Sequence, residues 1–183
     1  MYELKDVINQ VICGDCVQVM SQITEASIDM VLTSPPYDNL RVYDGFKFDF
    51  ENTAKELFRI LKDGGTIVWV VGDATIDGEE TGTSFKQALY FKDLGFKLHD
   101  TMIYHKNFFQ VNNGNPTRYH NNFEYMFILV KGKIKTFNGI KDRKNVVTGQ
   151  MKVGQVRQKD GTIKNRPGNF VLEYGLRNNI WRY

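Results

Sequence analysis

Short apolar runs alternate with stretches of helical spacing over the first hundred residues, and this restricts the fold more than any other feature of the chain. Ser27 to Thr33 (SIDMVLT) and Thr66 to Val71 (TIVWVV) are β-branched runs that read as buried strands. Between them, Asn52 to Leu61 sets Ala54, Leu57, Phe58 and Leu61 on one helical face, and Asp63-Gly64-Gly65 offers a positive-φ turn to end that helix. Val11 to Cys13 reads as a further short strand, and Phe85, Leu89 and Leu94 mark a second helix before Gly95. Strands joined through helices pair in parallel, so an α/β sheet with helices on both faces is expected.

The pattern changes after Gly95. Leu98 to His105 (LHDTMIYH) and Phe123 to Val130 (FEYMFILV) read as strands with no helical pattern between them. The sheet is therefore expected to hold mainly parallel strands plus a late antiparallel pair, joined by the long loop NFFQVNNGNPTRYHN. Beyond residue 131 apolar periodicity weakens, which suggests a division into residues 1–135 and 136–183. Charge divides in nearly the same place: residues 1–130 hold 11 Lys plus Arg against 18 Asp plus Glu, a net of −7, and residues 131–183 hold 13 against 3, a net of +10. A basic segment on an acidic body suits a polyanion such as nucleic acid, although solvated basic surface is also common.

With 42% hydrophobic residues the chain can bury a core, and no apolar run approaches the ~20 residues that a membrane helix needs. The polar start, MYELKDVINQ, has no signal-peptide pattern, so a cytoplasmic protein without membrane partners is expected. Cys13 and Cys16 form a C-x-x-C spacing, but no second pair exists and His99, His105 and His120 show no metal-ligand spacing with them. No metal is expected; a redox dithiol stays open as a lesser reading, and the main expectation is a core Cys13 beside an incidental Cys16.

The chemically informative string is Ser34-Pro35-Pro36-Tyr37, at the end of the strand in DMVLT. In an open α/β sheet, ligands bind outside the carboxyl ends of the strands. Two consecutive prolines fix their own φ and hold Ser34 and Pro35 extended, so the backbone carbonyls point in set directions. Such acceptors suit an exocyclic amino group, a poor nucleophile whose lone pair is delocalised into its ring. Drawing its N–H groups out of plane exposes that lone pair without a strong base. Tyr37 adds a flat face on which a flipped base could stack.

Ser34-Pro35-Pro36-Tyr37 resembles the catalytic signature of the amino-group DNA methyltransferases, whose form is Asp, Asn or Ser, then Pro-Pro and an aromatic residue. Gly14-Asp15-Cys16 before a helix resembles that family's acidic position near the cofactor adenosine. The helix, the LKDGGTIVWVVGD segment and the late strand pair follow in the family's order, so the resemblance covers about residues 10–135. It implies a partial Rossmann-like methyltransferase sheet that uses S-adenosylmethionine, with Ser34, Pro35, Pro36 and Tyr37 catalytic and Asp15, Thr33, Ser34 and Pro35 on the cofactor. The substrate implied is a base in double-stranded DNA, with cytosine N4 favoured over adenine N6 by the serine form. Residues 1–135 would be the catalytic part, and 136–183 the start of a target-recognition region.

Loops at this sheet edge face DNA in the resembled family, which makes Lys106, Arg118 and Tyr119 candidate DNA contacts; a plain surface Arg118 remains equally open. Phe108, Phe109 and Tyr119 read foremost as hydrophobic anchors. Asp73 reads as a helix cap. The family's glycine-rich turn, of the form F-x-G-x-G, does not occur in these 183 residues. A permuted subclass places the catalytic half first and that turn last, so the expectation is a truncated or split enzyme completed by a glycine-rich partner half. A DNA-binding remnant without chemistry is the alternative.

Overall fold

The computed structural model describes residues 4–36, 47–110 and 117–182. After a single helical turn, α1 (Leu4–Val7), come α2 (Cys16–Ser21), β1 (Ile28–Thr33), α3 (Phe50–Ile60) and β2 (Leu61–Val71). A small hairpin, β3 (Thr75–Ile76) and β4 (Glu79–Glu80), closes through Asp77-Gly78 with φ of 50° and 83°, the backbone of a type I′ turn. Then follow α4 (Thr83–Asp93), β5 (Phe96–Gln110) and β6 (Asn121–Lys131). Seven short strands complete the chain: β7 (Arg143–Lys144), β8 (Met151–Lys152), β9 (Gln155–Arg157), β10 (Ile163–Asn165), β11 (Asn169–Phe170), β12 (Tyr174–Gly175) and β13 (Ile180–Arg182).

The main sheet has the order β1-β2-β6-β5-β13. β1 pairs in parallel with β2 and β5 with β13, whereas β6 lies antiparallel to both β2 and β5. Four strands thus run one way and β6 alone runs back, the mixed α/β arrangement with a late antiparallel pair that the sequence implies. Alternate residues of β2, namely Leu61, Ile67, Trp69 and Val71, are fully buried. They meet Ala54, Leu57 and Ile60 of α3, Ala88 and Phe91 of α4, and Phe127 and Leu129 of β6. Trp69 is the hub: its ring packs against Phe48, Phe50 and Phe91, and its indole N–H donates to Gln87 Oε1 at 2.8 Å.

Several local expectations change. α3 and α4 share the Trp69 face, because both crossovers step the same way across the sheet and a right-handed connection then returns to the same side. β1 is an edge strand rather than a buried one, with Met30 and Leu32 56% and 68% exposed on the face away from those helices. Leu61 is the C-cap of α3, its N–H donating to Leu57 O, and also the first residue of β2. Gly64 does have positive φ, at 85°, but inside β2, where the register against β1 shifts. Val11–Cys13 forms no strand, and Cys13 is exposed, so it is not a core residue.

The face of α4 is also turned from the expected one. Phe85 and Leu89 are half exposed, and Ser84, Gln87, Ala88 and Phe91 point inward. Their polar groups are satisfied on the way in: Gln87 by the Trp69 indole, and Ser84 by Asp73, whose carboxylate accepts from the Ser84 backbone N–H at 2.8 Å and from its hydroxyl at 2.5 Å. The local N-cap of α4 is Gly82, which has no side chain to offer, and Asp73 satisfies the helix start from ten residues before α4 begins.

The chain divides into two compact units, residues 1–136 with 179–183 and residues 137–178. In the second, β7 pairs with β12, β8 with β11 and β9 with β10, all antiparallel. Backbone hydrogen bonds such as Arg177 N–H to Ile140 O (2.8 Å) and Gly149 N–H to Val171 O (3.0 Å) connect these pairs into one nested two-stranded ribbon. Among the described residues no helix is long and apolar enough to cross a membrane.

Candidate functional site

The carboxyl end of β1 delivers Thr33, Ser34, Pro35 and Pro36 to the rim of a cavity of about 770 Å³. This lies within the 300–1,000 Å³ that small-molecule sites usually occupy. Pro35 is buried, Thr33 and Pro36 are half-buried and Ser34 is exposed. The turn Cys13-Gly14-Asp15-Cys16 lines the same cavity. Two segments some 20 residues apart in sequence therefore face one cavity, with Met20, Val31, Phe48 and Trp69 as its apolar lining. Tyr37, the fourth residue of the motif, lies outside the described residues.

Local chemistry fixes the Asp15 wall. Asp15 is the N-cap of α2, and its carboxylate accepts from the Gln18 backbone N–H at 3.0 Å. Arg59 of α3 holds the other end of α2: its guanidinium donates to Met20 O at 2.6 Å and Ile23 O at 2.9 Å while pairing with Glu56 at 2.7 Å. Cys16 approaches the Thr53 hydroxyl at 3.6 Å, and that hydroxyl donates back to Asp49 O at 2.7 Å. A short helix that sequence alone leaves unplaced is thereby tied to α3, which fixes where Asp15 stands relative to the Ser34 end. Arg59, Thr53 and Phe48 are site-building residues that carry no motif; the helical spacing of α3 hinted at the segment holding Thr53 and Arg59, and nothing pointed to Phe48.

A second cavity, of about 390 Å³, opens where β2 ends and β6 begins. It is polar, with Asp73, Glu80, Arg118, His120, Glu124 and Tyr125 in its walls. Burial, reinforced by the negative charges of Asp73 and Glu80, raises the Tyr125 phenol above its ordinary value and keeps it protonated as a donor. Of this cavity's residues, sequence reasoning singled out Asp73, Arg118 and Tyr119; Tyr125 gave no signal beyond being aromatic.

The candidate DNA contacts are placed unequally. Arg118 donates to Gly78 O and stands 3.6 Å from Glu80, so the β3–β4 hairpin already engages it. Lys106 pairs with Glu124 at 2.5 Å. Tyr119 is 99% exposed, which corrects the expectation of a hydrophobic anchor, since a side chain open to water buries no apolar surface. The side chains of Phe108 and Phe109 lie outside the described residues. Among the described residues no group of three His, Cys, Asp or Glu is arranged to hold a metal ion.

A cavity with apolar walls, a fixed carboxylate and rigid backbone acceptors suits a ligand with a flat apolar ring, amino donors and a positive centre. The family model described as DNA methylase (N6_N4_Mtase) matches residues 28–168. The orphan methyltransferase M.BamHII of Bacillus amyloliquefaciens is 53% identical over 163 residues, which take in 87% of this chain and 61% of that protein. Among solved structures, TTHA0409 of Thermus thermophilus complexed with S-adenosyl-L-methionine is 27% identical, with a TM-score of 0.53 over 68% of this chain and 54% of its own. The PvuII cytosine-N4-specific DNA methyltransferase, 20% identical with a TM-score of 0.55, shares the fold over 66% of this chain and 48% of its own. The chain thus spans about half to three fifths of these relatives' lengths.

Proposed function

The chain belongs to the N6/N4 DNA methylase family, and from that premise we propose that it carries the base-activating part of an S-adenosylmethionine-dependent DNA methyltransferase. The substrate is a base flipped from double-stranded DNA, with cytosine N4 favoured over adenine N6 because Ser34 heads the motif. One observation carries the reading: Asp15 and Thr33-Ser34-Pro35-Pro36 line one cavity of a ligand's size. Such a substrate puts the protein in the cytoplasm with the DNA.

S-adenosylmethionine, when bound, supplies a methyl group made electrophilic by its sulfonium. In this chain Asp15 would accept from the cofactor's polar groups, and Met20, Val31 and Phe48 would exclude water from its ring. Thr33, Ser34 and Pro35 form the wall shared by cofactor and base. The Ser34 hydroxyl and the carbonyls that follow it would accept the N–H groups of the base and leave the nitrogen lone pair free to face the methyl group. The amino proton that is displaced would pass through the exposed Ser34 hydroxyl to solvent water. Fixed acceptors of this kind act without reorganisation. Pro36 holds the carbonyls in line, and Tyr37 is assigned to stacking on the extruded ring. The polar cavity around Tyr125 and Asp73 is assigned to the edge of that base.

DNA contact is assigned to Lys106, Arg118 and Tyr119; Lys106 and Arg118 are paired with Glu124 and the β3–β4 hairpin and would exchange those partners for phosphate. A glycine-rich segment outside these 183 residues is proposed to close the cofactor cavity, which fits the chain's 61% coverage of M.BamHII.

Mass spectrometry of duplex DNA treated with the protein and labelled cofactor, with and without such a segment, is the test. The expected product is N4-methylcytosine, reduced at least 100-fold in a Ser34→Ala, Tyr37→Ala double variant, on the scale of removing preorganised acceptors. Full activity in that variant would overturn the assignment, and N6-methyladenine as the product would reverse the choice of base.

A further inference from the structure

The outermost part of the 137–178 ribbon is its most regular. Ile163, Lys164 and Asn165 stand opposite Arg157, Val156 and Gln155, and beyond them the Gln158 N–H donates to Thr162 O at 2.7 Å. The tip is stiffened by Asp160, which accepts from the Thr162 N–H at 3.0 Å and its hydroxyl at 2.7 Å, with Gly161 at a φ of 85° completing the turn. Directly opposed residues of an antiparallel pair share a face, and neighbours along a strand alternate. One face of the tip therefore carries Gln155, Arg157, Asn165 and Ile163. The other carries Val156, Lys164 and Arg166, the last opposite Gly154, whose carbonyl accepts its N–H at 2.7 Å.

The first face holds the side-chain types that discriminate base edges: the arginine fork matches guanine O6 and N7, and Gln and Asn amides match adenine N6 and N7. All three are exposed, and the Gln155 amide donates to Asn165 Oδ1 at 3.3 Å, which orients the two amides together. Residues two apart on a strand lie about 6.6 Å apart, close to two base-pair steps of about 3.4 Å each. A two-stranded ribbon also fits the major groove, about 12 Å wide. Residues 137–178 hold nine Lys plus Arg against three Asp plus Glu, a surplus suited to the phosphate walls on either side.

We infer that the ribbon tip enters the major groove of duplex DNA, where Gln155, Arg157 and Asn165 read base edges and Lys164 and Arg166 contact phosphate. The inference rests on the DNA reading above but is separable from it, because sequence preference and methyl transfer are measured independently. The experiment is enrichment of a randomised duplex pool by the whole 183-residue chain, alongside methyl transfer to the same DNA. Arg157→Lys keeps the charge but loses the fork, so affinity and salt dependence should hold while preference at one base pair falls about tenfold or more. Gln155→Ala with Asn165→Ala should relax a neighbouring position. Lys164→Ala should weaken all sequences alike and lower the salt slope by about one. Unchanged preference in Arg157→Lys overturns the inference, as does a wild-type chain that binds DNA without preference or not at all. Methylation with preference unmoved by these variants leaves the enzyme reading standing and this one lost. Preference that moves without methylation does the reverse.

Discussion

The sheet unit and the ribbon unit are built from the same chain by opposite means. In residues 1–136 with 179–183, Trp69, Phe91, Ile67 and Leu129 are sealed from water, and the position of each backbone segment follows from what its side chains bury. In residues 137–178 no residue is fully buried, and Phe137, Val146, Phe170 and Leu172 are more than 60% exposed. The ribbon is held by backbone hydrogen bonds and a few polar ties, and a two-stranded hairpin of that kind is marginal in water. Packing gives the first unit a fixed shape around its cavities. The second leaves both its faces open to solvent, a surface available to another molecule.

Replacing Trp69 by Ala tests the first half of this contrast hardest. The change removes a buried ring that touches three other aromatics and leaves Gln87 without its indole partner, so about 3–5 kcal/mol of stability should be lost. An unfolding free energy from urea titration that falls by less than a fifth of that would mean the sheet unit is not organised around Trp69. A smaller loss, about 1–2 kcal/mol, is expected for Asp73→Ala, which leaves the α4 N-terminus and the buried Ser84 hydroxyl without an acceptor. Asp73→Asn should recover part of it by keeping one acceptor, and equal losses in both variants would show that the capping geometry does not matter.

The same contrast explains how much could be read from sequence. Ser27–Thr33, the inward Ala54 and Leu57, and the late strand pair were legible because a covered face imposes a period of two or 3.6 on the sequence. The site was legible where it depends on local backbone: Asp15 ahead of a helix, and Ser34-Pro35-Pro36 after a strand. The face of α4 was not, since Gln87 and Ser84 are inward only because Trp69 and Asp73 meet them from distant positions. The return of Ile180–Arg182 to pair with β5 was hidden as well, because three residues carry no measurable period. Nor could the ribbon be read as paired strands, since with neither face buried, nothing selects alternation.

The smallest effect expected concerns the root of the ribbon, where acid should loosen what it leaves intact at the core. Arg177 donates from Nε to the Asp142 carboxylate at 3.0 Å and from its terminal nitrogen as well, while its backbone N–H reaches Ile140 O. These hydrogen bonds, helped by the attraction of the guanidinium charge, hold the Asp142 carboxyl below its usual range. A depressed carboxylate contributes stability that is present above its unfolded value, about 3.9, and is lost as pH falls through the folded one. Being exposed, the pair is worth little and is screened by salt. Amide exchange, corrected for the intrinsic pH dependence, should therefore speed up at Asn145 and Arg177 between pH 6 and pH 3, more at low salt than at high. Asp142→Asn should exchange at the faster rate throughout and lose the dependence. If that variant keeps the wild-type pH profile, the polar tie at the root contributes nothing, and the backbone ladder alone holds the ribbon closed.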